Sequence, residues 1–309
     1  MSNFMTVFVP VMKLAILIAA GFILRKKEIL PSMSRKSLTD VVMFFLLPCN
    51  ILNSFWKATV DESTFTTCLN VLILSIVLDV LAIIIGLVFF RTGDPKKDPV
   101  LRYSLMLPNA NFLGSPLINS LYGATGTLYW SIYMIPYRIF MYTYGVAMFT
   151  KPDKNSLVKN LLLHPCFLCT IVGLIFMFTP LTAPKFLIDV TGYGSNTITA
   201  LTMIIIGGIL AEANWKDMVS KWSVIFAGVR LVFFPLLMAI ICKLAKVDIA
   251  VAGVLTILSG TPAATMGTLF AEKYDMDKRL CAQAITLSTV CCLVTLPLMI
   301  VILNAIYAI

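Results

Sequence analysis

Charged residues are scarce in this chain of 309 residues, and the sequence contains a single histidine. Asp, Glu, Lys and Arg make up 13% of the residues, whereas soluble domains contain roughly 25%. Hydrophobic residues account for 59%, and the mean hydropathy is +0.93. This composition excludes an ordinary soluble domain and indicates an integral membrane protein.

The sequence also lacks the residue patterns of the common enzyme classes. It contains no Ser–His–Asp constellation, no cluster of metal ligands and no phosphate-binding loop. Cys166 and Cys169 have a C-x-x-C spacing, which elsewhere indicates redox chemistry or a metal site. Because they lie on an apolar stretch, we interpret them as small core residues. We therefore expect no enzyme activity, no cofactor and no metal.

Ten apolar stretches are long enough to cross a membrane, since a span needs about 20 apolar residues. In chain order they lie at about 4–24, 37–55, 65–90, 100–121, 126–150, 160–180, 194–213, 219–245, 249–271 and 279–307. Every connection between them is short. No Lys or Arg precedes Lys13, so we expect the first stretch to be a span and not a cleaved signal. The sequence therefore predicts an all-α protein with ten transmembrane helices.

Basic residues are concentrated in alternate loops. The odd-numbered loops and their edges carry 17 Lys and Arg residues, and the even-numbered loops carry four. By the positive-inside rule the odd loops are cytoplasmic, which places both termini outside the cell. The net charge of +9 is therefore interpreted as a topological signal, and no nucleic-acid partner is expected.

The fourth predicted span contains a proline break flanked by polar residues. Pro108 must interrupt a helix, because proline lacks a backbone donor and clashes with the preceding turn. Asn109 and Asn111 follow it, and the ninth span has a counterpart in Thr261-Pro262. Transporters build binding sites from such broken helices, whose freed backbone groups need protein or a water-filled cavity. The pair of breaks indicates a carrier.

The two halves of the chain show a weak internal repeat. A shift of 153 residues places Pro108-Asn109 on Thr261-Pro262. Five spans per repeat force the two copies into opposite orientations, as in many secondary transporters. We therefore expect residues 1–150 and 160–309 to form two inverted five-helix repeats.

The residues at the breaks resemble the auxin efflux carrier family, which includes plant PIN-type transporters and bacterial permeases. Leu107-Pro108-Asn109 through Gly114-Ser115-Pro116-Leu117 is similar to the family pattern L-P-N-x-x-x-x-G-x-P-L. Pro262 with Phe270-Ala271-Glu272-Lys273-Tyr274 is similar to its P…F-A-x-x-Y pattern. The resemblance covers the whole chain, although the long cytoplasmic loop of many plant members is missing.

The resemblance implies an elevator-type fold in which broken helices four and nine cross. Spans 1, 2, 6 and 7 (about 4–55 and 160–213) would form a dimerising scaffold. Spans 3–5 and 8–10 (about 65–150 and 219–307) would form a transport domain that slides against it. It also implies a homodimer in the plasma membrane that moves small organic anions, such as carboxylates. The coupling ion is left open between a proton, sodium and none.

We predict that the substrate site lies at this crossing. The predicted substrate-binding residues are Pro108, Asn109, Asn111, Thr261, Pro262, Thr265 and Arg138. Amide donors and the positive ends of half-helices suit a carboxylate. The alternatives are that the asparagines only cap freed backbone groups and that the threonine hydroxyls only pack between helices.

Three charged residues lie in the middle of predicted spans, where charges are costly and usually functional. Asp79 can neutralise Arg138 or Arg230 and leave the other arginine for an anion, or it can carry a proton. The structural alternative is an ion pair that holds the transport domain together. His164, at the end of a span, is interpreted as structural, and the tyrosines at 137, 142 and 144 can line the path.

Three further functions stay open at the level of sequence. An anion channel or a non-transporting sensor can be built on the same fold. A sodium symporter needs an oxygen-rich cage, for which the candidates are Asn109, Asn111, Ser115, Thr261 and Gln283.

Overall fold

The protein is described by a computed structural model that covers residues 2–31, 33–57, 62–149, 163–179, 181–212 and 217–307. The regular structure in these ranges is helical. The helices are α1 (Ser2–Lys26), α2 (Ser34–Val41), α3 (Leu47–Lys57), α4 (Glu62–Phe89), α5 (Asp98–Met106), α6 (Ser115–Phe140), α7 (Pro165–Phe178), α8 (Lys185–Glu212), α9 (Lys221–Gly228), α10 (Phe234–Leu244), α11 (Ile249–Gly260), α12 (Met266–Lys273) and α13 (Lys278–Tyr307).

Short π-helical turns extend several of these helices. They are Val42–Leu46 between α2 and α3, Ala110–Gly114 before α6, Met141–Gly145 after α6, and Val229–Phe233 between α9 and α10. Such wide turns inside helices occur frequently at functional sites. Two of them flank α6, the helix that carries Arg138.

Several helices are long and apolar enough to cross a membrane. By length and composition these are Lys36–Lys57, Thr64–Phe89, Lys185–Glu212, Lys221–Leu244 and Lys278–Tyr307, while α7 and α11 are shorter apolar helices. The protein is therefore a helical, multi-pass membrane protein. Helical structure is present in each of the ten predicted stretches. The total of ten spans and the inverted repeat stay predictions.

One boundary differs from that predicted. The helix of the seventh stretch begins at Lys185 and not at residue 194, since helical structure extends before the apolar part of the segment. The fourth and fifth predicted stretches meet inside α6, where Gly123 interrupts the helix with φ 61° and ψ −144°. This left-handed conformation favours glycine, which has no Cβ to clash with the backbone. The kink divides α6 into two helical segments.

The first helix group consists of α1, α2, α3, α7 and α8. Helix α8 packs against α1 and α3, and α3 packs against α7. The backbones of α1 and α8 approach closely at two glycines. A Cβ added at Gly21 would lie 2.2 Å from Ile204 O, and one at Gly207 would lie 2.0 Å from Ile18 O. Small residues permit this close packing between helices, which is the main source of helix association in lipid.

The second helix group consists of α4–α6 and α9–α13. Helix α4 packs against α5 and α6, α10 against α11, and α13 against α5, α9 and α11. The largest fully buried side chains are concentrated in this group, and Trp130, Tyr133 and Arg230 are among them. The assignment of these two groups to a scaffold and a transport domain stays a prediction from the family resemblance.

Candidate functional site

The two breaks meet at one point inside the second helix group. The segment after α5 and the segment after α11 run antiparallel, and Pro108 is paired with Ala263 in an isolated β-bridge. Two hydrogen bonds close this pair, from Asn109 N–H to Pro262 O at 2.8 Å and from Ala264 N–H to Leu107 O at 3.0 Å. We call this paired segment, residues 107–109 with 262–264, the crossing.

Arg230 neutralises the helix ends at the crossing. Its side chain is fully buried, with a relative exposure of 0%. Its guanidinium donates three hydrogen bonds to backbone carbonyls: Nε to Thr261 O at 2.8 Å, Nη1 to Leu105 O at 2.5 Å and Nη2 to Leu258 O at 3.2 Å. These carbonyls lie at the C-terminal ends of α5 and α11, where the helix dipole is negative. Arg230 therefore stabilises both half-helices.

Side chains of α6 satisfy further backbone groups freed by the break. Trp130 Nε1 donates to Ala110 O at 2.9 Å, and the Tyr137 hydroxyl donates to Pro108 O at 3.2 Å. Irregular backbone at membrane depth persists only where protein or water provides such partners. The crossing is thus a hydrogen-bonded unit held by α6 and by Arg230.

A cavity of about 150 Å³ lies beside the crossing. The second helix group provides most of its lining, which we call the transport wall: residues 108–112, 137, 138, 141, 142 and 264–266. The first helix group provides the opposite side, which we call the scaffold wall: Thr39, Met43 and His164. Five of the predicted site residues line this cavity: Pro108, Asn109, Asn111, Arg138 and Thr265.

Arg138 belongs to the cavity lining, and its guanidinium lies close to the Cys166 thiol. The residue is only 2% exposed, and neither Nη1 nor Nη2 has a hydrogen-bond partner in the described part of the chain. A buried charge without a partner is strongly unfavourable. A guanidinium can donate two parallel hydrogen bonds to the oxygens of a carboxylate.

Asn109 caps the turn that follows it. Its Oδ1 accepts a hydrogen bond from Phe112 N–H at 3.3 Å, as the capping alternative requires. Because Phe112 N–H can only donate to the amide oxygen, Oδ1 must face this N–H. The Nδ2 amino group then points away and is available as a donor to a ligand. Asn111 also lines the cavity, and its buried Oδ1 has no partner among the described residues.

The three predicted residues of the ninth stretch differ in their placement. Thr261 is fully buried, and its hydroxyl donates to Leu258 O at 2.8 Å, so it does not line the cavity. Pro262 contributes its carbonyl to the crossing and lies outside the lining. Thr265 is exposed at the cavity. The break turns the chain between these residues, and the sequence gives no direct signal for that geometry.

Asp79 is isolated inside the second helix group. The residue is fully buried on α4, and neither carboxylate oxygen has a hydrogen-bond partner in the described structure. Arg230 attracts it electrostatically, but the three hydrogen bonds of Arg230 go to carbonyls. A buried carboxylate without donors is tolerated when it carries a proton or holds a cation. The geometry thus provides no ion pair of Asp79 with either arginine.

Sequence reasoning missed the scaffold wall. His164, interpreted from the sequence as structural, belongs to the cavity lining, and its buried Nδ1 has no partner in the described structure. The only available signal was that this single histidine lies beside Pro165, at the start of α7. Tyr137 and Tyr142 line the cavity as expected, whereas Tyr144 does not.

Comparison with known proteins identifies the family. The sequence profile of a family described as "Membrane transport protein" matches residues 6–161 and 154–300. The chain is also 24% identical over 293 residues to an uncharacterized transporter of Methanocaldococcus jannaschii, an alignment that covers 92% of this chain and 94% of the relative. The chain therefore belongs to this family of membrane transport proteins, the auxin efflux carrier family that the motifs at its two breaks resemble.

Proposed function

We propose that this protein is a secondary carrier of small organic anions, and specifically of carboxylates. The observation that carries the proposal is the guanidinium of Arg138. It is buried, lines the cavity and has two nitrogens without a partner in the described structure. Because the protein belongs to a transport family, a transported anion is the natural counter-ion for Arg138. Family membership also implies that the protein is not an enzyme.

The cavity suits a small molecule with one charged end. A carboxylate can accept two hydrogen bonds from Arg138 Nη1 and Nη2 and a third from Asn109 Nδ2. The apolar side chains of Met43, Phe112 and Met141 are available to the carbon skeleton. The cavity volume of about 150 Å³ is below the roughly 300–1,000 Å³ of pockets that bind drug-sized ligands. The substrate is therefore expected to be a compact acid.

The placement of the cavity supports an elevator-type mechanism. Each helix group provides one wall of the cavity. Hydrogen bonds from Arg230 and from α6 connect the crossing to the second helix group, so the crossing would move together with the transport wall. Sliding of the second group would carry Arg138 and its bound anion away from the scaffold wall. In this proposal the glycine-packed α1–α8 pair is the stationary part. Dimerisation through that part is a further expectation from the family resemblance.

The cavity is proposed to open toward the cytoplasm. Thr39 and His164 follow the two basic segments 25–36 and 151–159, which the positive-inside rule places in the cytoplasm. This arrangement would be the inward-facing state of a plasma-membrane carrier with extracellular termini. The segment 151–159 itself lies outside the described residues.

A thermal-shift screen tests the proposal. Purified protein is heated with sodium acetate, butyrate, malonate and succinate, with sodium chloride at equal ionic strength as the reference. A ligand that binds only the native state at 100 times its Kd stabilises it by about 2.7 kcal/mol. We expect at least one carboxylate to stabilise the wild type and Arg138→Gln to abolish the effect.

The matched control is Arg91→Gln, which removes an exposed arginine outside the cavity and should leave the response intact. A carboxylate response that survives in Arg138→Gln would move the site away from this cavity. Saturable uptake into proteoliposomes distinguishes a carrier from a channel, whose current does not saturate in this way. Uptake that requires sodium would identify a symporter.

A further inference from the structure

His164 and Arg138 face one cavity from opposite walls. Arg138 belongs to α6 in the second helix group, and His164 directly precedes α7 in the first. The two side chains are near enough to interact electrostatically. They are the only residues with a cationic or potentially cationic side chain in the described lining of this cavity.

The imidazole of His164 has no evident structural task. The first turn of α7 is formed by backbone hydrogen bonds. The carbonyl of His164 accepts them from Phe167 N–H at 2.9 Å and from Leu168 N–H at 3.0 Å. The side chain makes no capping bond, and its buried Nδ1 has no partner in the described structure. A buried polar atom without a partner costs stability, which argues for an external partner.

The surroundings of His164 favour an acceptor group. The remaining residues of the scaffold wall are Thr39 and Met43, neither of which is charged. The N-terminal end of α7 adds a partial positive charge at the same place. An imidazole N–H can donate a hydrogen bond there, whether the ring is neutral or charged.

We propose that His164 is a substrate-contacting residue that binds the second polar end of the anion whose carboxylate lies on Arg138. The inference rests on the proposed function and deepens it, because it selects two-ended acids over one-ended acids. Such a substrate joins the two walls across the cavity. A one-ended acid of equal length contacts Arg138 alone and leaves His164 without a partner.

The experiment compares butyrate and succinate, which have the same number of carbons and differ in the second carboxylate. Affinities are measured by isothermal titration calorimetry on the purified full-length protein. One additional hydrogen bond to a charged group is expected to make succinate bind the wild type roughly tenfold to a hundredfold more tightly. His164→Leu should reduce this preference to within about twofold.

Two further variants separate binding from a structural effect. His164→Asn keeps a donor and should retain part of the preference, and it serves as the test if the leucine variant does not fold. Cys169→Ser changes the same helix outside the cavity lining and should keep the full preference.

The possible failures can be told apart. Equal affinities of the wild type for butyrate and succinate would overturn the role of His164 and leave the proposed function intact. The same holds if His164→Leu and His164→Asn weaken both acids by one common factor. If neither acid binds the wild type, the proposed carboxylate site itself is wrong.

Discussion

Asn50 on α3 donates a hydrogen bond to Ser115 on α6, with a distance of 3.0 Å between Nδ2 and Oγ. Both residues are 1% exposed, and they belong to different helix groups. The other end of the Asn50 amide is fixed within its own group, because Oδ1 accepts from Ser195 Oγ on α8 at 2.7 Å. Asn50 is therefore a rigid donor that connects the two groups in one particular arrangement.

Removing this connection should change the equilibrium between inward-facing and outward-facing states. Ser115→Ala deletes the acceptor and leaves the Asn50–Ser195 bond in place. A typical hydrogen bond contributes about 0.5–1.5 kcal/mol, so the equilibrium should shift by roughly twofold to tenfold toward the outward-facing state. The measurement is the rate at which an impermeant maleimide labels a single cysteine at Thr265 from the cytoplasmic side.

The matched control for this shift is Ser131→Ala. Ser131 is also buried on α6, but its hydroxyl bonds within the helix, to Thr127 O at 2.8 Å. Slower labelling is expected for Ser115→Ala alone. Equal rates in the two variants would show that the Asn50–Ser115 bond does not hold the inward-facing state.

The two buried arginines should have opposite effects on stability. Arg230→Met removes a donor from three carbonyls at the helix ends beside the crossing. Leu258 O keeps the Thr261 hydroxyl as a partner, and each buried carbonyl left without a partner costs about 1–3 kcal/mol. Arg138→Met removes an unpaired buried charge and should leave the thermal midpoint of the ligand-free protein unchanged or raised. Heating both purified variants gives the comparison. If the Arg230→Met variant has the same thermal midpoint as the wild type, Arg230 does not stabilise the crossing.

The two breaks were predictable from the sequence because their cause is local. Proline interrupts a helix whatever the tertiary context, so Pro108 and Pro262 marked the two breaks. The expectation that the two broken helices cross came from the family resemblance. In the structure Pro108 and Ala263 pair in an isolated bridge between the two breaks.

The roles of individual polar residues were less predictable, because they depend on contacts distant in the sequence. Arg138 and Arg230 look alike as mid-span arginines. They differ because the partners of Arg230 are backbone carbonyls, which the residue types do not reveal. Thr261 and Thr265 differ through the geometry of the break, and His164 joins the cavity because two helix groups meet there.

The distribution of basic residues predicts which side of the membrane each loop faces. In a cysteine-depleted background, a cysteine at Ser2 should react with an impermeant reagent outside intact cells. A cysteine at Asn155 should react only after the cells are opened, because 17 basic residues lie on that side and four on the other. Labelling of residue 155 in intact cells would reverse the proposed orientation.

Asp79→Asn tests whether the isolated carboxylate couples transport to an ion gradient. The substitution keeps the shape of the side chain and removes its ability to exchange a proton or to hold a cation as a carboxylate. Asp79 has no hydrogen bond to lose in the described structure, so the thermal midpoint should not fall. We expect substrate exchange in proteoliposomes to persist and gradient-driven uptake to be lost. Wild-type uptake that still responds to a pH gradient would refute the coupling role.

Asn109 combines a structural bond with a proposed binding bond, and two substitutions can separate them. Asn109→Asp keeps an oxygen that caps Phe112 N–H, since Asp and Asn are comparable caps. It removes the Nδ2 donor and places a negative charge beside the substrate carboxylate. Carboxylate affinity should fall at least tenfold, because a hydrogen bond to a charged group contributes about 1.5–3 kcal/mol, while the thermal midpoint stays near the wild-type value.

Asn109→Ala, in contrast, should lose both properties. Without the cap the turn at Ala110–Gly114 loses a bond, and stability should fall by about 1 kcal/mol. The thermal midpoint and the carboxylate affinity are therefore measured for both purified variants. The aspartate variant should lose affinity alone, and the alanine variant should lose both affinity and stability. If the aspartate variant binds carboxylates as tightly as the wild type, Asn109 acts only as a cap. The positive field at the site must then come from Arg138 without help from the amide.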